Sequence, residues 1–446
     1  MERISKGVAW IAKAFKDGGR NGWLAVMGLF STWMVWVGLI KGLAVMLPTL
    51  QEQFNASTWL VGWMIAIIDA SIEFSGICAS PLRNKFGLRA VVTVSGVLVG
   101  GSLIASSFAS SLYQIAILLT LFAGQAIGVS SIVTRQAISH HFSESLTMAL
   151  SLGGLGSSLA YITIIPLTQF LMDVYGWRGT MLLTGGAYSH LAVCGALMKE
   201  PATTRSNDEY AAVAVVEETA ATGEGEAAAS NSRCCSCQNS VSSFISKTLK
   251  IKLLSSAPFW LIVFMMNIWM MMYTAWLIYF VPNTISKGFL LKEASTFVVS
   301  YGVGRIIASV TIGPLVQHIT AISSTAWLGI GLLSSCIYYL ADPWLLSYWP
   351  ITVSAFVFGY FNSIPLVLFD VVIIETFGAD LLGSVLGLIG IVAGVCRILS
   401  LYFPGLIYDI LGSYTLAFTL MGGVQCLDLV ALLLLVWLQR RRPSSL

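Results

Sequence analysis

Charge is what this chain has least of. Of its 446 residues, 10% are Asp, Glu, Lys or Arg and 57% are hydrophobic. A soluble domain carries about 25% charged residues, so a water-facing globule is excluded and much of the surface must meet lipid. Histidine is scarcer still. His140, His141, His190 and His318 stand at no metal-ligand spacing, so no metal or cofactor has a sequence basis. No nucleophile–base pairing occurs near a membrane surface, so no catalytic residue is assigned and an enzyme is disfavoured. The net charge of +3 is too small to point to nucleic acid. The first twenty residues carry Lys6, Lys13, Lys16 and Arg20 without a short apolar run and cleavage site, so no cleavable signal peptide is expected. Cys78, Cys194, Cys336, Cys396 and Cys426 are scattered through apolar runs, where single cysteines act as small hydrophobes. Cys234-Cys235-Ser236-Cys237 has no second pair and makes a poor zinc site. Unmodified linker is favoured over a palmitoylated one.

What the chain has is long apolar runs. A bilayer needs roughly 20 apolar residues per helix, and twelve stretches qualify. They are Trp23–Leu50, Trp59–Ala79, Ala90–Ala109, Leu112–Val133, Met148–Leu171 and Thr180–Met198, then Phe259–Val281, Ala294–Val316, Ser323–Leu340, Trp349–Phe377, Leu381–Pro404 and Tyr414–Leu438. The fold class is therefore an all-α membrane protein, with twelve transmembrane helices in two six-helix halves. The expected divisions are a tail at 1–22, a first bundle at 23–199, a disordered polar linker at 200–257, a second bundle at 258–438 and a tail at 439–446. Basic residues gather on one side: Lys6 to Arg20, Arg83, Lys85, Arg89, Arg135, Lys247, Lys250, Lys252 and Arg440 to Arg442. Arg178, Lys287 and Lys292 fall on the other. The asymmetry predicts cytoplasmic termini and a cytoplasmic linker. Asn55-Ala56-Ser57 is a glycosylation sequon too close to the second span for use. The 6+6 plan resembles the major facilitator superfamily, whose halves rock about a central site. The 41 glycines suit close helix packing, as in Gly153-Gly154-Leu155-Gly156-Ser157-Ser158.

Within so apolar a background each buried charge is a candidate. Arg305 stands mid-span, about a dozen residues from Glu293 and His318 on either side. A guanidinium stays charged, and at bilayer depth it is kept by a cavity and an anion. The anion is a substrate carboxylate or a buried acid. Lys41, toward the outer third of the first span, reads from position alone as a snorkelling lysine. Asp69 and Glu73 share a helix face one turn apart. Either one of them holds a proton, or they pair with Lys41 or Arg397. Asp370, mid-to-inner in the tenth span, is a candidate acid partner for Arg305, and the sequence leaves open which of these charges pair. Tyr301, one turn before Arg305, is a second donor to a bound solute or an aromatic packing residue. Lys41, Arg305 and Arg397 thus stand against Asp69, Glu73 and Asp370.

Several motifs carry a closer resemblance. They are Asp17-Gly18-Gly19 with Gly22-Trp23, Asn84-Lys85-Phe86-Gly87-Leu88-Arg89, Gly176-Trp177-Arg178-Gly179, and Tyr408-Asp409 with Gly412-Ser413-Tyr414 and Ala417-Phe418. In order and placement they resemble the monocarboxylate transporter family, over nearly all the chain except linker and tails. The resemblance implies that Lys41, thirteen residues before Phe54, is a substrate or proton residue. It implies that Arg305 is the substrate cation. It places the family's helix 8 aspartate at Tyr301, so that pair is broken, and a substrate-facing column at Asn362, with Leu366 one turn on. Three departures stand out: Ser143-Glu144-Ser145 replaces a basic cluster, Ser400-Leu401-Tyr402 replaces Gly-Pro-Pro, and Arg397 has no counterpart.

The leading expectation is a secondary active or facilitative plasma-membrane carrier of a small organic anion. Arg305, Lys41, Tyr301 and Asn362 would bind substrate, and Asp69, Glu73 and Asp370 are the proton-coupling candidates. Lactate-type members implied by the resemblance move protons and use a single-span accessory glycoprotein. Others carry aromatic amino acids without a proton, and the loss of aspartate at Tyr301 leans that way. A non-transporting receptor or accessory subunit on a carrier fold is the rival from another class.

Overall fold

Two glycines decide how the helices are counted. Residues Gly76–Ser106 and Leu146–Tyr188 are continuous in hydrogen bonding, yet Gly87 (φ 78°) and Gly176 (φ 65°) interrupt them with left-handed backbone. A side chain adopts that conformation only at a cost, which glycine avoids. Each of these glycines is the turn between two membrane crossings. The computed structural model describes residues 16–56, 58–200, 256–319 and 321–441. With the glycine breaks applied, the described residues make twelve spans and no strand.

In chain order they are α1 (Gly19–Phe54), α2 (58–86, jointed near Ser75), α3 (88–106), α4 (Leu112–His141), α5 (146–175) and α6 (177–197). The second half has α7 (Ala257–Ser286), α8 (Leu291–His318), α9 (Ser324–Ala341), α10 (Tyr348–Phe377, jointed at Asn362), α11 (Leu382–Leu411) and α12 (Thr415–Arg441). Serine caps begin three of them: Ser111, Ser256 and Ser323 accept from the backbone N–H groups of Gln114, Phe259 and Ala326. Val97, Ile117, Val310 and Leu433 lie exposed on the outside, as lipid-facing side chains must. Most span ends fall within a few residues of the sequence expectation; the second, fourth and eleventh spans run about two turns further, and the fourth is the consequential case. The fourth was expected to stop at Val133; α4 runs two turns further and keeps Arg135 inside the span. The linker, its cysteine cluster, Lys6, Lys13 and the C-terminal residues beyond 441 lie outside the described residues.

The halves meet along two seams. On one, α2 packs on α11 so closely that a Cβ at Gly387 would stand 2.7 Å from the Gly76 carbonyl oxygen. On the other, α5 meets α8: a Cβ at Gly313 would touch the Met148 backbone, and Ser151 Oγ donates to the Ser309 carbonyl at 2.7 Å. Gln317 also donates to the Glu144 carbonyl across this seam. Gly76, Gly387, Gly313 and Met148 all lie toward the end that carries the termini. Small residues let helix backbones approach this closely without a hydrophobic drive between them. The structure is thus closed on its terminal side.

Outside the membrane, Asp17 ties the start of α1 to the α4–α5 turn. It accepts from Ser145 N (2.8 Å), Ser145 Oγ (2.7 Å), Glu144 N (3.0 Å) and Ser143 Oγ (3.3 Å). Partial burial pushes this carboxyl up, but those donors outweigh it and hold it below the ordinary range. A depressed carboxyl adds stability above its unfolded value, near 3.8, and loses it as pH falls toward the lower folded one. Asp17→Ala should lower the melting temperature in detergent at neutral pH, by the equivalent of about 1 kcal/mol for a half-exposed charged acceptor; an unchanged melt would deny the tie. Gly387→Leu should part the α2–α11 seam, raise maleimide labelling of a Ser80→Cys reporter from the terminal side, and abolish transport.

Candidate functional site

A cavity of about 290 Å³ lies between the halves. α1 supplies Trp33, Trp36 and Lys41, α2 supplies Asp69 and Glu73, α4 supplies Arg135, and α5 supplies Ser157 and Tyr161. From the other half come Trp269, Tyr273 and Thr274 of α7, Arg305 of α8, Leu366 and Phe369 of α10, and Arg397 of α11. Away from the termini the wall continues to Leu47, Gly62 and Ile278.

Arg305 reaches this wall while only 4% exposed. Its Nη1 donates to the hydroxyls of Tyr273 (2.6 Å) and Tyr301 (3.1 Å), Nη2 to Ser157 (3.0 Å) and Nε to Ser158 (3.2 Å). Its guanidinium also lies 5.6 Å from the ring centroids of Tyr161 and Tyr273. Four of five N–H donors are therefore occupied, all by neutral oxygens. No ion pair to Arg305 occurs among the described residues. Its hydrogen-bond partners come from both halves: Ser157 and Ser158 from the first, Tyr273 and Tyr301 from the second. The glycine-serine stretch expected to be packing is, in its last two residues, part of the Arg305 cradle.

Asp370 is not the partner of Arg305. It is buried beside Arg135 and accepts from Arg135 Nη1 at 3.2 Å. The extra length of α4 brings Arg135 to that depth, where the guanidinium also lies 5.9 Å from the Trp33 ring. Sequence reading had put Arg135 at the membrane edge and so missed it.

Asp69 and Glu73 are together on the wall, as one turn of helix requires. Arg397 stands between them, Nη1 to Asp69 at 2.9 Å and Nη2 to Glu73 at 2.8 Å. Trp36 Nε1 donates to the other oxygen of Asp69 at 2.9 Å, and Thr274 accepts from Arg397 at 3.3 Å. A single guanidinium thus bridges the two carboxylates across the halves.

Lys41 lies 5.8 Å from the Tyr161 ring, on the face of α1 that meets the cavity, and makes no ion pair among the described residues. It faces inward, not toward the membrane surface. Tyr301 lies behind Arg305, packed on Trp276 at 4.5 Å between ring centroids, and does not line the cavity. Asn362 is also behind the wall. At the α10 joint it accepts from Trp269 Nε1 (2.9 Å) and Ser335 Oγ (3.4 Å), and donates to the Tyr301 hydroxyl (3.4 Å). Leu366, one turn on, lines the cavity in its place, because the bonds at the joint turn Asn362 away from it. Trp33, Trp36, Trp269 and Tyr273 were not singled out from sequence; nothing distinguishes a cavity aromatic from a core one in a uniformly apolar helix.

Residues 23–295 match the family model described as the Major Facilitator Superfamily. The chain is 25% identical over 411 residues to Monocarboxylate transporter 12 of Xenopus laevis, covering 91% of this chain and 86% of that one. It is 34% identical over 183 residues to Monocarboxylate transporter 11 of Mus musculus, covering 41% of each. Among solved structures it resembles the proton:xylose symporter XylE, at TM-score 0.69 and 12% identity, covering 95% of this chain and 96% of that one.

Arg397→Ala leaves two facing carboxylates without their cation. It should lower stability in detergent by about 3 kcal/mol. Adding Asp69→Asn and Glu73→Gln to it should recover most of the loss in melting temperature; no recovery would show that the triad is not held by charge.

Proposed function

The chain belongs to the Major Facilitator Superfamily, and on that premise we propose that it is of the monocarboxylate transporter type and carries a small organic anion by alternating access. It is a multi-pass membrane transporter and not an enzyme. The observation that carries the anion reading is Arg305: a permanent cation on the cavity wall whose four hydrogen-bond partners are all neutral. A cation at that depth costs about 3 kcal/mol or more unless an anion meets it. A planar fork of donors fits a carboxylate. Lys41 is the second cation, 5.8 Å from the centroid of the same Tyr161 ring that Arg305 approaches at 5.6 Å. Tyr301 orients Arg305 from behind, and Asn362 in turn bonds Tyr301, so both act as positioning residues.

The aromatic wall favours a second version of the same reading, an aromatic carboxylated solute. Trp36, Tyr161, Trp269, Tyr273 and Phe369 offer flat apolar faces beside the two cations. Transport without a proton is supported by the commitment of Asp69 and Glu73 to Arg397 and of Asp370 to Arg135. Residues 23–199 and 258–438 act as the two rocking halves, joined by the 200–257 linker. The Lys and Arg excess on the terminal side supports cytoplasmic termini in the plasma membrane. A single-span accessory glycoprotein is the partner whose co-expression would raise surface delivery, if this chain travels as lactate-type members do.

Uptake of labelled lactate, pyruvate, creatine and aromatic amino acids, at two outside pH values, tests the reading. Arg305→Ala should abolish uptake of whichever solute is carried, with surface expression intact; wild-type rates in that variant would sink the claim. Lowering outside pH should leave initial uptake nearly unchanged, and strong acceleration would instead make Asp69 or Glu73 a proton site. Surface delivery of a partner with no solute flux would favour the receptor or accessory-subunit class.

A further inference from the structure

One acid of the last span has no place in the cavity. Asp428 is the only charged residue of α12 between Thr415 and Trp437, about a dozen residues from either end of the helix. It is fully buried, while Leu427 and Val430 beside it are exposed. Its single hydrogen bond comes from Gln425, whose Nε2 donates to Oδ2 at 2.8 Å. No Lys, Arg or His pairs with it among the described residues; Arg135, Arg397 and Lys287 are committed to other acids. A bare carboxylate at that depth is expensive.

Two further atoms bear on its charge. Asp428 Oδ1 and Gln425 Oε1 are both buried and both without a hydrogen-bond partner. They are the remaining oxygens of the same carboxyl–amide pair. A carboxylate oxygen and an amide oxygen are both acceptors, so neither can satisfy the other. One proton on Oδ1 answers both: the acid O–H donates to Gln425 Oε1, while the amide N–H keeps its bond to Oδ2. Rotation of two planar groups already in contact closes that ring of two hydrogen bonds. Burial favours the same neutral form.

We infer that Asp428 and Gln425 form a proton-binding site, occupied in the folded protein and separate from the solute cavity. The proton is a ligand of the fold and not cargo. It lets α12 carry a polar pair into the second half without a charge, and it does not depend on which solute is carried. Tyr339 of α9, whose buried hydroxyl is also unpartnered, interacts electrostatically with Asp428 and with Tyr301 and Tyr273, the phenols bonded to Arg305. An ionised Asp428 would set a negative charge behind that cradle; the bound proton keeps this side neutral. Cys336 of α9 and Cys426 of α12, their sulfurs 3.0 Å apart, are the other ionisable groups at the site. α7 and α11 also pack on α12, and they bring no ion pair or hydrogen bond to Asp428 among the described residues.

The test uses purified full-length protein in lipid nanodiscs. Infrared spectra of wild type and Asp428→Asn at neutral pH should differ by the carbonyl stretch of one hydrogen-bonded carboxylic acid, a band that an ionised Asp428 would not have. Asn keeps an N–H donor where the acid has its O–H. Melting curves give a second reading. The folded protein holds a proton that the unfolded chain, with its carboxyl in water, gives up above about pH 4, so the site's contribution to stability falls as pH rises. Wild type should lose up to about tenfold in its folding equilibrium per pH unit relative to Asp428→Asn. Either a missing acid band or parallel pH profiles in the two proteins would overturn the proton site. Stabilisation of the wild type by sodium over choline at fixed pH, lost in Asp428→Asn, would overturn it as well and make a metal cation the occupant. Should Asp428→Asn not fold, Gln425→Met, which removes the amide, should shift the same acid band; an unmoved spectrum would then overturn the pairing.

Discussion

The arrangement of this protein turns on how Arg305 is held. Its guanidinium is bonded by two serines from one half and two tyrosines from the other. No single helix could present that cradle. It exists only where α5, α7 and α8 converge, so the anchor reports on the packing of both halves at once. The Tyr161–Tyr273 hydroxyl contact at 3.0 Å extends the same network across the interface. A densely bonded polar network of this kind fixes geometry in an apolar interior, because a rearrangement leaves more buried donors unmet.

The other charges have a different task. Arg397 with Asp69 and Glu73, and Arg135 with Asp370, each join the first half to the second. Both stand near the glycine seams at Gly76–Gly387 and Gly313–Met148 that close the terminal side. Shape and charge thus cooperate. The seams bring the backbones within reach, and the pairs make the closed state specific to one register. Buried ion pairs often add little net stability, but removing one partner is expensive, so they define which arrangement is allowed more than how stable it is.

Much of this was legible in the sequence. Apolar run length fixed the spans to within a few residues, since a bilayer sets helix length directly. Arg305, Lys41, Asp69 and Glu73 were identified as charges in lipid, and all four reach the cavity. What the sequence leaves open is pairing. Spacing along one helix tells which residues share its face, but nothing in it says which helix lies opposite. Arg397 is one of the two cations it offers to Asp69 and Glu73, and the structure selects it; Asp370 is offered to Arg305, while its partner, Arg135, is hidden by an underestimate of α4. Asn362 was misplaced for a related reason: the α10 joint rotates it toward Trp269 and Ser335. The serines of the Gly153–Ser158 stretch were read as spacers because small residues serve packing far more often than binding.

The Asp370 assignment bears on mechanism. It supplies the central cation with an acid, as electrostatics demands of a static protein. In a carrier the requirement is weaker, because the compensating charge can arrive with the solute. Acids tied across the halves and hydroxyls gathered round the anchor divide two duties that a single Asp–Arg pair would merge. The first set holds a conformation. The second holds a cation ready, oriented and still charged.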